Sequence, residues 1–204
     1  MARLTYRKIT VDIDGVVAVV PIDKVVALVN QLYGTDYRAD QLNSFGWLEK
    51  TLARDFGLSE EEAFGAVWNN EDIYRQARVA LGARKALEDL TRLGAQMDFV
   101  TGRASFLRDC TFAWFVNNLP FVKQNRIWIR ENENLSRSEF KIKKILELQP
   151  QVHLEDSFEI TQQLNQYGIQ TVLFRQLWNQ EAPQELRKDW LDAYQFLVRG
   201  SFPA

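Results

Sequence analysis

Ile9, Val11 and Ile13 alternate with Lys8, Thr10 and Asp12, the period-two pattern of a short buried strand. Pro21 opens a helix in which Val25, Val26, Leu28, Val29 and Leu32 share a broad apolar face, and Gly34 is placed to end it. Residues 35–76 read as short helices with no strand signal. Ser59-Glu60-Glu61-Glu62 is a capping box at the start of one of them. Residues 82–93 are again amphipathic and helical, closed by Gly94. A strand over 95–100 then runs into Thr101-Gly102-Arg103, and a helix is expected over 104–117.

Residues 126–130 alternate as a strand, and a polar loop over 131–138 leads into a helix bearing Lys141, Lys143 and Lys144. Pro150 stops that helix. Val152, His153 and Leu154 form a strand ending in Glu155-Asp156-Ser157, with Ser157 as the N-cap of the next helix. A strand over 171–174 and a closing amphipathic helix over 183–198 complete the pattern. Strands alternating with helices imply a Rossmann-like α/β fold, a parallel sheet with helices on both faces. The strands finish at Asp12, at Thr101 and at Glu155-Asp156. In such sheets the carboxyl ends share one edge, so these polar groups are expected to converge.

Convergence makes the chemistry specific. An Asp-x-Asp-Gly string also opens a calcium loop, but here Gly15 is followed by Val16 to Val20, which offer no side-chain ligands. A plain turn is the other bland reading. Asp12, Asp14, Glu155 and Asp156 in one pocket would repel one another unless a cation sat among them, and an all-oxygen set favours Mg2+. One histidine and one cysteine leave too few soft ligands for zinc. Asp12 is read as a nucleophile and Asp14 as its acid/base partner. Thr101 and the backbone N–H of Gly102 or Arg103 would bind phosphoryl oxygens, and a lysine would supply fixed positive charge.

Composition narrows the partners. The 204 residues are 46% hydrophobic and 25% charged, ordinary for one globular core with a small insertion. A formal charge of −2 argues against a stable nucleic-acid partner but leaves room for a small phosphorylated substrate. The single Cys110 excludes an internal disulfide and suggests the cytoplasm, with the thiol packed inside a helix. Residues 1–8 lack the apolar run of a secretory leader, and no stretch is long enough to span a bilayer, so no membrane partner is expected. A homo-oligomer stays open.

Asp12-x-Asp14-Gly15, Thr101-Gly102-Arg103, Lys141 and Glu155-Asp156, in that order, resemble the four motifs of the haloacid dehalogenase-like phosphohydrolase superfamily. The resemblance implies a magnesium-dependent phosphomonoesterase working through an aspartyl-phosphate. It also implies a helical cap over 21–77 on a catalytic core of 1–20 and 78–204. Asp14 matches the phosphatases of the superfamily. Lys141 fits the third motif best, while Lys143 and Lys144 read as solvated.

Asp-Gly-Val-Val and the stretch Leu173-Phe174-Arg175-Gln176-Leu177-Trp178-Asn179 resemble the 5′(3′)-deoxyribonucleotidase branch. Leu177 stands where that branch has proline, and Glu155-Asp156 replaces its aspartate pair. The implied substrate is a 5′-(deoxy)nucleotide, with a sugar-phosphate or phosphoglycolate-type phosphatase, or a non-catalytic binding domain, as alternatives. Phe45, Trp47 and Trp68 could stack on a base or simply pack the cap. Arg103 could contact substrate phosphate or a cap carboxylate. His153 reads as a satisfied buried histidine.

Overall fold

The protein is described from a computed structural model over residues 4–44, 46–131 and 134–202. The opening alternation forms β1 (Lys8–Asp12), and the chain turns at Gly15 into the two-residue β2 (Ala18–Val19). Helix α1 (Ile22–Tyr33) starts directly after Pro21 and is ended by a left-handed Gly34. Helices α2 (Trp47–Phe56), α3 (Glu60–Trp68) and α4 (Glu71–Arg75) follow. Ser59 and Glu62 cap α3 reciprocally, each satisfying a backbone donor the helix itself leaves free. These helices bury an apolar cluster of their own, centred on Val25, Val29, Leu48, Leu52 and Val67. β3 (Arg78–Val79) then pairs antiparallel with β2, which ties together the outgoing and returning chain.

The rest alternates helix and strand: α5 (Ala83–Arg92), β4 (Gln96–Ala104), α6 (Arg108–Asn118), β5 (Ile127–Arg130), α7 (Arg137–Leu148), β6 (Val152–Glu155), α8 (Phe158–Gln166), β7 (Gln170–Phe174), β8 (Arg187–Lys188) and α9 (Trp190–Arg199). The main sheet has the order β5-β4-β1-β6-β7-β8, and every pairing is parallel. Alternation along the strands divides the core. Ile9, Val11, Met97 and Phe99 pack with Leu87, Phe115 and Leu197, whereas Val100 joins Phe140, Ile145, Ile160 and Leu164 of α7 and α8. Apolar surface on both faces is what a parallel sheet requires, and the expected α/β architecture is the one found.

Three elements differ from the sequence expectation. Residues 183–198 are not one helix: Gln184–Leu186 is a 3-10 turn, β8 follows, and α9 begins only after Asp189, whose carboxylate accepts from the N–H groups of Leu191 and Asp192. β4 continues past Thr101 to Ala104, with a register shift between those two residues, so α6 starts four residues later than expected. The β2–β3 ribbon was hidden inside an apolar run. Among the described residues, no helix is long and apolar enough to cross a membrane.

Candidate active site

β1 lies between β4 and β6, with Val11 opposite both Phe99 and Leu154. That register brings the carboxyl ends of three strands together. Asp12 ends β1 and Glu155 ends β6, with Asp156 next; oxygens of all three, each residue buried, lie within 4.8 Å of one another. Lys141 enters from α7, its Nζ 2.8 Å from Asp12 Oδ2 and 2.9 Å from Glu155. A Ser136–Glu139 capping box fixes the start of α7 and so the phase that aims Lys141 inward. Lys143 is exposed, and Lys144 pairs with Glu147 and lies over the Trp128 ring, 4.8 Å from its centroid.

Glu155 and Asp156 play different parts. Glu155 accepts from Lys141, from the N–H groups of Asp156 and Ser157, and at Oε2 from His153. Burial pushes the Glu155 carboxyl up, but Lys141 and the His153 hydrogen bond outweigh it and hold it well below the usual range. His153, also bonded to Thr10 at 2.9 Å, is kept neutral mainly by burial. Asp156 is pushed well above its usual range by burial, then by the charges of Asp12 and Glu155. Burial likewise raises Asp12, with Glu155 and Asp14 adding and Lys141 opposing, to about 8.

Asp14 stands apart from this cluster. Its Oδ2 accepts from Arg103 Nε at 2.9 Å and its Oδ1 from Arg103 Nη2 at 2.6 Å, a bidentate clamp. Thr101 Oγ1 lies 3.4 Å from Asp14 Oδ2. Arg103 also donates to Thr111 and sits 4.3 Å from the Tyr74 ring centroid. In place of a cap carboxylate, the parallel register of β1 and β4 gives Arg103 the carboxylate of Asp14. The Arg103 N–H is given to Thr101 Oγ1 at 3.2 Å, which leaves the Gly102 N–H as the candidate phosphoryl donor.

Four carboxylates, Asp12, Asp14, Glu155 and Asp156, thus face two fixed cations, Lys141 and Arg103. Were all four ionised, two negative charges would stand uncompensated, which is why burial raises Asp12 and Asp156; a hard divalent cation fits that donor set. Asp12, Glu155 and Asp156 could each offer it an oxygen, and of these Glu155 is already engaged by protein donors. Gly15 makes room for the Asp156 carboxylate: at φ +76° a Cβ there would lie 2.1 Å from Asp156 Oδ2. Gly15→Ala is therefore expected to weaken divalent-cation binding about tenfold or more and to cost about 1–2 kcal/mol of stability. Calorimetric Mg2+ titration and denaturant melts check both; an unchanged Mg2+ affinity would contradict the assignment.

The stretch ending in Trp178-Asn179 was visible in the sequence only as a resemblance, with no role for its side chains. Trp178 Nε1 donates to Asp156 Oδ2 at 3.0 Å, Asn179 Nδ2 to the Asp156 carbonyl at 2.8 Å, and Gln176 to the Gly15 carbonyl. A cleft of about 580 Å³ opens above the cluster, with Trp47, Phe64, Trp68, Tyr74 and Arg137 among its lining residues. Trp68 Nε1 donates to Glu49 at 2.6 Å. Phe45, the third aromatic singled out from sequence, lies outside the described residues.

Sheet order, cleft and carboxylate cluster define a haloacid dehalogenase-like phosphatase. Solved structures agree on the fold. One from Lactobacillus delbrueckii subsp. bulgaricus, provisionally described as a phosphoglycolate phosphatase, is 14% identical with TM-score 0.65, covering 95% of this chain and 99% of that one. A predicted phosphatase from Clostridium acetobutylicum is 14% identical with TM-score 0.61, covering 83% and 84%. Among curated proteins, none matches the chain. The family described as "5' nucleotidase, deoxy (Pyrimidine), cytosolic type C protein" matches residues 7–202, and the chain belongs to it. It is a 5′-nucleotidase-like phosphatase.

The raised Asp12 has a consequence for pH. Its folded-state value of about 8 lies above the ordinary 3.8, so the stability linked to its proton is complete below the lower value and lost as pH rises through about 8. A bound divalent cation must displace that proton. The rise in melting temperature produced by Mg2+ is expected to be larger at about pH 8 than at about pH 6. Equal increments at the two pH values would show that Asp12 is not a ligand.

Proposed function

We propose that the protein hydrolyses 5′-(deoxy)nucleotides, with Mg2+, through a phosphoryl group carried on Asp12. The observation that carries this reading is the buried Asp12 at the end of β1, held at Oδ2 by Lys141 and at Oδ1 by the Ile13 N–H. Both contacts fix the carboxylate in one orientation, and Asp12 lines the cleft. Asp12 and Asp156 would hold the cation, which when bound neutralises phosphoryl oxygens and lowers their repulsion of an incoming carboxylate.

The remaining steps belong to the chain's own residues. Asp12 attacks phosphorus and displaces the nucleoside oxygen, which takes a proton from Asp14. Asp14 then removes a proton from water, whose oxygen attacks the same phosphorus and frees Asp12 and phosphate. Arg103 keeps Asp14 in one orientation through both steps. Thr101 Oγ1 and the Gly102 N–H offer donors for the phosphoryl oxygens, and Lys141 balances their charge. Residues 21–77 act as a cap whose aromatic lining receives the nucleoside and keeps bulk water from the phosphorylated carboxylate. The single buried thiol, Cys110, fits a reducing cytoplasm.

Phosphate release from a panel of nucleoside 5′-monophosphates and sugar phosphates, with Mg2+ and with chelator, tests the reading. Chelator-sensitive release from nucleotides is expected. Robust turnover of sugar phosphates with none of nucleotides would overturn the substrate assignment.

A further inference from the structure

Arg137 is the cation of the cleft that the phosphatase chemistry does not use. It is the first residue of α7, four before Lys141, so the two side chains share a helix face about one turn, or 5.4 Å, apart. Its guanidinium carbon lies over the ring of Phe64 of α3, 3.1 Å from the centroid, and both residues line the cleft. Among the described residues it has no hydrogen-bond acceptor and no ion-pair partner. Burial pulls it down to about 10, so it stays charged at neutral pH. A half-buried guanidinium with no acceptor is uncommon, because desolvated donors are costly unless they are used.

Its backbone position is equally constrained. A Cβ on Gly102 would lie 2.9 Å from the Arg137 Cβ, so the start of α7 rests against the strand exit that offers the phosphoryl donor. Arg137 therefore lines the cleft immediately beside Gly102 and one helical turn from Lys141, next to the groups offered to the phosphoryl oxygens. A cleft carboxylate bears on what Arg137 can receive. Glu49 of α2 lines the same cleft and has no ion pair among the described residues; Trp68 only donates to it at 2.6 Å. Its charge reaches Arg137, and a second anion placed between the two would be repelled by it. The neighbouring surface is aromatic, with Phe64, Trp47 and Trp68.

We propose that Arg137 is the specificity-determining residue for the leaving group, donating to a neutral, flat, acceptor-bearing group such as a nucleobase while Phe64 backs its guanidinium. This rests on the nucleotide reading above. Cation–π support from Phe64 leaves the edge of the guanidinium free to donate, and it holds the side chain in place before substrate arrives.

Steady-state kinetics of Arg137→Gln and Arg137→Lys against a nucleoside 5′-monophosphate, the matching 3′,5′-bisphosphate and phenyl phosphate test it. Phenyl phosphate has the phosphoryl group but no distal acceptor. Arg137→Gln is expected to lower kcat/KM for the monophosphate about ten- to a hundredfold more than for phenyl phosphate, mostly through KM, with partial recovery in Arg137→Lys. Equal losses on both substrates, or none, would overturn the role of Arg137. A bisphosphate preferred over the monophosphate, with that preference lost in Arg137→Gln, would replace the neutral group by a second anion. Parent protein that cleaves phenyl phosphate but no nucleotide would overturn the nucleotide reading itself, an outcome distinct from the failure of Arg137.

Discussion

Asp12→Asn is expected to reduce phosphate release by about a thousandfold or more, because an amide cannot form the phosphorylated intermediate and nothing nearby replaces it. Asp14 is clamped by Arg103, Glu155 is saturated by Lys141, His153 and two backbone N–H groups, and Asp156 is held by Trp178. The Ile13 N–H still finds an oxygen on asparagine, so the end of β1 keeps its local bond. The variant should thus remain folded and inactive, which circular dichroism and phosphate release measure side by side. Release close to that of the parent would remove Asp12 from the mechanism.

Lys141→Met carries the largest expected cost in stability. Lys141 is buried and its ammonium bridges Asp12 and Glu155. Burial pulls its pKa down, but the charges of Asp12, Glu155 and Asp156 outweigh that and hold it above its usual range. A methionine fills much of the same volume and leaves two buried carboxylates facing each other. Breaking a buried pair in this way costs about 3–5 kcal/mol, enough to consume a large part of an ordinary domain's stability. Urea unfolding measures the loss. Adding Glu155→Gln should recover part of it, since the pair shares one network and removal of one charge relieves the other. A loss below about 1 kcal/mol would mean that water reaches the site and screens these charges.

The parts of the fold that rest on apolar periodicity were legible in the sequence. The alternation of Ile9, Val11 and Ile13 marked a short buried strand, and Pro21 and Gly34 bracketed α1. β8 was not legible, because Arg187 and Lys188 are two charged residues without alternation and pair only because Leu173 and Phe174 lie alongside. The extension of β4 was hidden for a related reason: a register shift after Thr101 lets Gly102 and Arg103 leave the regular ladder before Ala104 rejoins β5.

Within the candidate site, Asp12, Lys141, Glu155 and Asp156 were each visible as motif residues, and the structure gathers them. What the sequence did not show was how they share their partners. The Asp14–Arg103 clamp depends on the register between β1 and β4. The division of labour between Glu155 and Asp156 depends on which carboxylate His153 and Trp178 reach. Arg137 did have a signal, its four-residue offset from Lys141, but helix phase becomes informative only once one residue on that face is known to point into a cleft.

A phosphoryl group carried on Asp12 is detected most directly by acid quench of the Asp14→Asn protein during nucleotide turnover, followed by mass spectrometry of the peptide containing Asp12. Without Asp14 to activate water, the second step should slow more than the first, and one phosphoryl group should be found on Asp12. Phosphate released at the parent rate, with no phosphoryl group on Asp12 at any quench time, would contradict the account.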